Sequence, residues 1–288
     1  MRYSERLQKI ENEIRRGETM ADVGTDHGFL PIKLYSTGIS PFVLLTDISP
    51  GSIRKAEQDW DRYLSAEDRK HVSFRVGSGL SPISSGEVDT VVIAGMGGLL
   101  ISEILSEDLE KTRSFRRYVF QPRNNAGLLR DWLFRHGFRI EREQIAEEGR
   151  FLCEILTASS PAESTVQDFF SSGLKQSGEM YGIDLSYTAK MDYPDSLLTC
   201  GEPHLKEYLS RRLIGQERIA GDITDCEKDP EGKGYDAVKE DAVRLKNRKA
   251  KALSEARAAR IRELLSFLEQ KEQDKIIRSK ADSPVDRF

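Results

Sequence analysis

Cysteine is scarce in this chain. Cys153, Cys200 and Cys226 are the only three among 288 residues, with no C-x-x-C spacing and no even count from which a disulfide framework is built. That usage fits a reducing cytoplasm. The four histidines, His27, His71, His136 and His204, are scattered, so no metal site is expected. No apolar run approaches the roughly 18 to 20 residues of a membrane span. The opening Met1-Arg-Tyr-Ser-Glu5 lacks the apolar core of a secretory signal. With 32% charged and 38% hydrophobic residues, the composition is that of a soluble globular protein of one or two domains.

Net positive charge is also missing. The formal charge of -4 gives no global sign of a nucleic-acid partner, but its distribution does. Between Lys111 and Arg142 nine basic residues face two acids, and between Lys239 and Arg262 nine face three. Solvated helix faces are the plain explanation for either zone alone. Two such zones in an acidic chain point to a polyanionic partner, because phosphate neutralisation needs only a local patch.

What is present is a regular alternation of strand and helix patterns. Strands are expected at 19–23, 42–47, 72–76, 90–94 and 118–121, with helices at 29–35, 50–64, 98–105 and 126–136 between them. An amphipathic helix at 4–14 precedes them, carrying Leu7, Ile10 and Ile14 on one face. This alternation implies a mostly parallel sheet with helices on both faces. The last two strands, 138–145 and 151–157, are separated by five residues, too few for a parallel crossover, so they form an antiparallel hairpin. A parallel sheet closed by an antiparallel hairpin strand is the pattern of S-adenosylmethionine-dependent methyltransferases, a Rossmann-like α/β fold. After Ala158 the texture changes. Residues 159–165 read as a linker, 203–220 as a helix, 221–235 as a polar loop, and 237–274 as a long charged helix with Leu253, Ile261, Leu264 and Leu268 in one stripe. The two helices are expected to pack as an antiparallel, coiled-coil-like hairpin, with a frayed tail from Ile277. The expected domains are therefore 1–158 and 159–288.

The sharpest local signal is Asp22-Val-Gly-Thr-Asp-His-Gly28, where an apolar run ends in an acid and turns through two glycines into a helix. It is a nucleotide-type cradle but not the dinucleotide fingerprint, because Asp26 stands where the middle glycine belongs. A diphosphate needs bare amides and is repelled by a carboxylate. A sulfonium cofactor carries positive charge and no phosphate, so acids are tolerated there. This favours S-adenosyl-L-methionine. The next apolar run ends in Asp47, placed to accept hydrogen bonds from both ribose hydroxyls. The candidate cofactor-binding residues here are Asp22, Gly24, Thr25, His27, Gly28, Asp47 and Ile48; for His27, a lone His near a loop, a merely structural role is the commoner one.

Three further turns end strands on the same edge. Gly77-Ser78-Gly79 follows the third strand, and Ser78 could bond the exocyclic amine of the cofactor adenine; a simple Gly-Ser turn is the alternative. Ala94-Gly95-Met96-Gly97 ends the fourth, where several glycines suit close backbone approach to a ligand. The fifth ends in Gln121-Pro-Arg-Asn-Asn125, so Gln121, Arg123 and Asn125 are candidates for reading a base edge. Arg116, Arg117 and Arg130, from the first basic zone, are candidates for substrate phosphates. No Asn-Pro-Pro-Tyr motif appears, which disfavours exocyclic amino methylation on the usual plan. No cysteine ends the fourth or fifth strand, which argues against covalent cytosine chemistry.

On these residues the chain resembles the bacterial tRNA (adenine-22-N1)-methyltransferase family, TrmK. The likeness runs through Ser4-Glu-Arg-Leu7, Ala21 to Pro31, Ala94 to Gly98, Gln121-Pro122, Arg130-Asp-Trp-Leu133 and Glu154. It implies methyl transfer from S-adenosylmethionine to N1 of adenine 22 in the D-arm of tRNA. It also implies that Asp22, Gly24 and Asp47 hold the cofactor and that Asp26 is the acidic residue implicated in catalysis. The family commonly has Asp where Ser78 stands and Tyr where Cys153 stands, and segments 159–187 and 221–235 are longer here. Two other readings of the residues stay open: a methyltransferase of another RNA position or a small molecule, and a non-catalytic RNA-binding adaptor. A nicotinamide oxidoreductase is more distant.

Overall fold

The computed structural model describes residues 3–161, 184–199, 201–228 and 237–281. The chain divides into two compact units, Met1–Glu179 and Met180–Phe288. The expected division after residue 158 falls at the last residues of the final strand. No described helix is long and apolar enough to cross a membrane.

The first unit is built on seven strands: β1 (Met20–Val23), β2 (Val43–Asp47), β3 (Val72–Val76), β4 (Thr90–Met96), β5 (Arg117–Pro122), β6 (Arg139–Glu148) and β7 (Phe151–Ser159). Their order is β3-β2-β1-β4-β5-β7-β6. β1 to β5 are parallel, and β7 runs antiparallel to both β5 and β6. The expected hairpin closes the sheet. Because two reversals restore direction, β6 runs parallel to β5.

Alternation along the strands splits the core in two. Met20, Val43, Leu45, Val92, Val119 and Ile155 face one side, against α1 (Glu5–Glu13), α2 (Phe29–Ser36) and α3 (Pro50–Tyr63). Ala21, Leu44, Val91, Ile93, Tyr118, Phe120 and Leu156 face the other, against α4 (Gly98–Glu107), α5 (Leu109–Ser114) and α6 (Ala126–Arg135). Burial on both faces explains the apolar runs Val43-Leu-Leu45 of β2 and Val91-Val-Ile93 of β4. The start of α3 is set locally: Ser49 caps it through the Gly51 and Ser52 amides, and Pro50 occupies its first turn. The short α5 was not expected from the pattern; Asp108 caps it by accepting from the Lys111 amide at 3.0 Å.

In the second unit α7 (Leu185–Asp192) is followed by α8 (Leu205–Lys228) and α9 (Ala237–Ala281). Lys206 pairs with Glu272 at 2.9 Å and Glu217 with Arg262 at 2.6 Å, so one helix ascends as the other descends. The antiparallel expectation holds. Tyr208, Leu209, Ala258, Ile261 and Leu264 are buried in this unit. One expectation needs correcting: the segment from Gly221 is helical as far as Lys228, because its first breaker is Pro230. The remainder of that expected loop, most of the linker and the last residues of the tail lie outside the described residues.

Candidate active site

Because β1 to β5 are parallel, their carboxyl ends share one edge, and the strand order reverses between β1 and β4. That reversal opens a crevice at the edge. The segments Asp22 to Gly28, Asp47-Ile48, Gly77 to Gly79, Ala94 to Gly97 and Gln121 to Asn125 all end strands there.

The turn after β1 is fixed by β2. The Gly24 and Thr25 amides both donate to the Thr46 carbonyl, at 2.8 and 3.0 Å. These two amides are therefore spent inside the fold. Gly24 has a φ of +80°, a left-handed conformation that favours glycine, and a Cβ there would lie 2.2 Å from the methyl end of the flexible Met96 side chain. Below the turn, burial pushes the Asp22 carboxyl up to about 6, against the opposing effects of the Thr25 hydroxyl and the Arg6 charge. A cationic ligand group would restore its charge.

Asp47 accepts from the Ser49 amide at 2.7 Å through Oδ1, and Oδ2 has no partner among the described residues. Ile48 beside it, at the end of β2, is 73% exposed. Gly77 is tied to the Asp47 carbonyl at 3.0 Å, and Ser78 is exposed. On the other side, a bulge at Gly95 shifts the β4 register. The Arg123 amide donates to the Met96 carbonyl at 2.7 Å, and the Gly98 amide donates to that of Asn124 at 2.9 Å. The ends of β4 and β5 thus form one wall. Two acids, a bare glycine turn and an exposed apolar residue fit a cofactor with a cationic centre, a ribose and a flat base.

Asp26 is 65% exposed and pairs with Lys55 of α3 at 3.2 Å. His27 lies between two acids: its Nε2 is 3.6 Å from Asp26 and its Nδ1 is 2.9 Å from the buried Asp59. The ring stacks on Phe29 with centroids 5.0 Å apart.

The chain aligns with the methyltransferase domain family over residues 3–156. It is 32% identical over 171 residues to the tRNA (adenine(22)-N(1))-methyltransferase of Bacillus subtilis, covering 59% of this chain and 71% of that enzyme. The chain belongs to this TrmK family of methyltransferases. A putative tRNA methyltransferase of Mycoplasma genitalium is 26% identical over 155 residues, 52% of this chain and 67% of that one. The crystal structure of the Bacillus subtilis M1A22 tRNA methyltransferase TrmK superposes with a TM-score of 0.68 at 25% identity, covering 92% of this chain and 99% of that one. A Streptococcus pneumoniae putative tRNA (m1A22) methyltransferase, solved with S-adenosyl-L-methionine, has the same fold with a TM-score of 0.64 at 23% identity, covering 89% of this chain and 100% of that one.

Within this TrmK-family fold, four expected substrate residues need different descriptions. Arg130 is 3% exposed and bonded to Glu143 at 2.6 Å and to Glu154, so it is a buried structural cation rather than a phosphate contact. Arg117 is also buried, donating to the Glu13 carbonyl at 2.9 Å and pairing with Glu18 and Glu141. Arg116 is exposed and 3.5 Å from Asp89, but it precedes β5 and so lies at the amino edge, the far side of the sheet from the crevice. Gln121 is buried and turned inward, accepting from Arg6 at 3.4 Å. Arg123 and Asn125 are exposed at the carboxyl edge. The sequence reading missed Arg6, Lys55 and Asp59. For the last two a signal existed, since they stand four residues apart on the helix that follows Asp47.

Proposed function

We propose that this chain transfers a methyl group from S-adenosyl-L-methionine to N1 of adenine 22 in the D-arm of tRNA. The observation that carries the reading is the 32% identity with the Bacillus subtilis enzyme across 71% of its length, beside a methyltransferase-domain match over residues 3–156 that spans the acid-and-glycine crevice. S-adenosylmethionine, when bound, supplies an electrophilic methyl group on a cationic sulfur. Asp47 would accept from the ribose hydroxyls, and Ile48 with the turns at Gly77 to Gly79 and Ala94 to Gly97 would hold the adenine. Asp22 supplies negative charge at the cationic end.

Adenine N1 has an in-plane lone pair, so no proton need leave before it attacks; the product ring is cationic. The protein's task is alignment and stabilisation of that growing positive charge. Asp26 performs it by accepting from the adenine amino group, with Lys55 holding the carboxylate in place. Adenine 22 is reached by turning the base out of its stack. Arg123 and the exposed Lys246, Arg248 and Lys249 of α9 supply phosphate contacts. The test is labelled-methyl transfer to bulk tRNA followed by nucleoside mapping. Label in 1-methyladenosine at position 22 is expected; label at another position, or none, overturns the reading.

A further inference from the structure

Two helices begin side by side at the ends of β4 and β5, and both present leucines outward. Leu99 and Leu100 stand in the first turn of α4, and Leu128 in the first turn of α6. They are 52%, 48% and 47% exposed, while Ile101, Ile104, Leu105, Leu129 and Leu133 of the same helices are buried. The apolar faces that hold these helices on the sheet are therefore complete without the three. One carbonyl joins the two starts. That of Asn125 accepts from the Leu128 amide at 3.1 Å, and a Cβ on Gly98 would lie 2.3 Å from it. Asn125 is the one described residue other than glycine with a positive φ, +52°. Held strain of this kind clusters where the backbone is shaped for a ligand.

The charge of this crest has one sign. In the stretches Ala94 to Leu100 and Gln121 to Leu128, the sole charged residue is Arg123. It is exposed, and its guanidinium has no partner among the described residues. An apolar surface beside a cation, with no carboxylate, matches a nucleotide, whose base has apolar faces and whose phosphate is anionic. The opposite flank of the crevice is walled. There β6 runs past the carboxyl edge to Glu148, which accepts from Ser4 and Arg6 at the start of α1.

On the function proposed above, we propose that Leu99, Leu100 and Leu128 form a wedge that enters the tRNA stack where adenine 22 leaves it. Arg123 meets an adjoining phosphate. A base turned out of a helix leaves a gap, and apolar side chains that fill it offset part of the lost stacking. The adenine then passes the Ala94 to Gly97 turn into the crevice while the leucines hold its neighbours apart. These are positioning residues, since they touch the RNA beside the target and not the reacting atoms.

The test compares ordinary tRNA with a tRNA that is abasic opposite adenine 22, from which the target base leaves its stack at little cost. Single-turnover methyl transfer by the double variant Leu99→Ser, Leu128→Ser is expected to slow about 10- to 100-fold on ordinary tRNA. On the abasic substrate it should slow less than about threefold. The pair Leu99→Met, Leu128→Met keeps the apolar volume and should stay within about threefold of the unaltered rate on both. Calorimetric titration with S-adenosylmethionine checks that the serine variant is folded; if it is not, Leu100→Ser carries the same comparison. Equal slowing on both substrates, or none on either, overturns the wedge. A changed oligomeric state with unaltered rates overturns it in favour of a contact between copies of the chain. Failure of the unaltered protein to methylate adenine 22 in either substrate overturns the proposed function itself, a distinguishable outcome.

Discussion

Asp59 Oδ2 lies 2.9 Å from His27 Nδ1, so a buried carboxylate in α3 orients the ring beside Asp26. As an acceptor, that carboxylate places the proton on Nδ1 and leaves Nε2 facing the Asp26 side. Asp59→Asn loosens the ring and, through it, the loop after β1. Turnover should fall by about fivefold, the equivalent of one hydrogen bond of about 1 kcal/mol. Steady-state kinetics beside cofactor titration checks that turnover moves more than affinity.

Asp26→Ala removes the carboxylate proposed to face the developing charge. Turnover should drop by about a hundredfold or more, with cofactor affinity changed little. A variant with ordinary turnover removes Asp26 from the chemistry.

Asp22 makes stability depend on pH. Its carboxyl rises from 3.8 to about 6 on folding, so the folded chain prefers it protonated. The stabilisation from that protonation is complete below about pH 4 and disappears as pH rises through 6. Asp22→Asn should therefore gain about 1–3 kcal/mol at pH 7.5 and nothing at pH 4, while losing cofactor binding. Urea unfolding at the two pH values measures this.

Arg130→Met leaves Glu143 and Glu154 buried without their cation. A loss of about 3–5 kcal/mol in unfolding free energy is expected. If Arg130 contacted phosphate instead, stability would stand and the salt dependence of tRNA binding would change.

Replacing Lys246, Arg248 and Lys249 together with Ala should weaken tRNA binding and flatten its salt dependence. The slope of log affinity against log salt falls by about 0.7 to 0.9 for each phosphate that is no longer neutralised. Filter binding at several salt concentrations checks it, with unchanged cofactor affinity as the control.

Much of the architecture was legible because parallel strands buried on both faces give apolar runs that begin and end clearly. Asp22, Asp47 and the glycine turns mark the carboxyl edge because each closes such a run. The five-residue link before Phe151 likewise dictated an antiparallel return. The arginines were misread for a definite reason. Counting charge between Lys111 and Arg142 cannot show that Arg130 meets Glu143 and Glu154, acids that come into reach only when β6 and β7 pair. Nor can it show which end of β5 an arginine occupies, and that alone separates Arg116 from Arg123. The extension of α8 was missed because polar residues suggested a loop, whereas 222–228 contain neither glycine nor proline.

The tie between Arg6 and Glu148 spans 142 positions of sequence. During synthesis the N-terminal helix waits for its acceptor until six further strands have been made, while the first two βα units can already find each other. One flank of the crevice is thus missing until translation passes residue 148, and a chain interrupted earlier holds the conspicuous glycine turn without the enclosure that would let it retain a ligand.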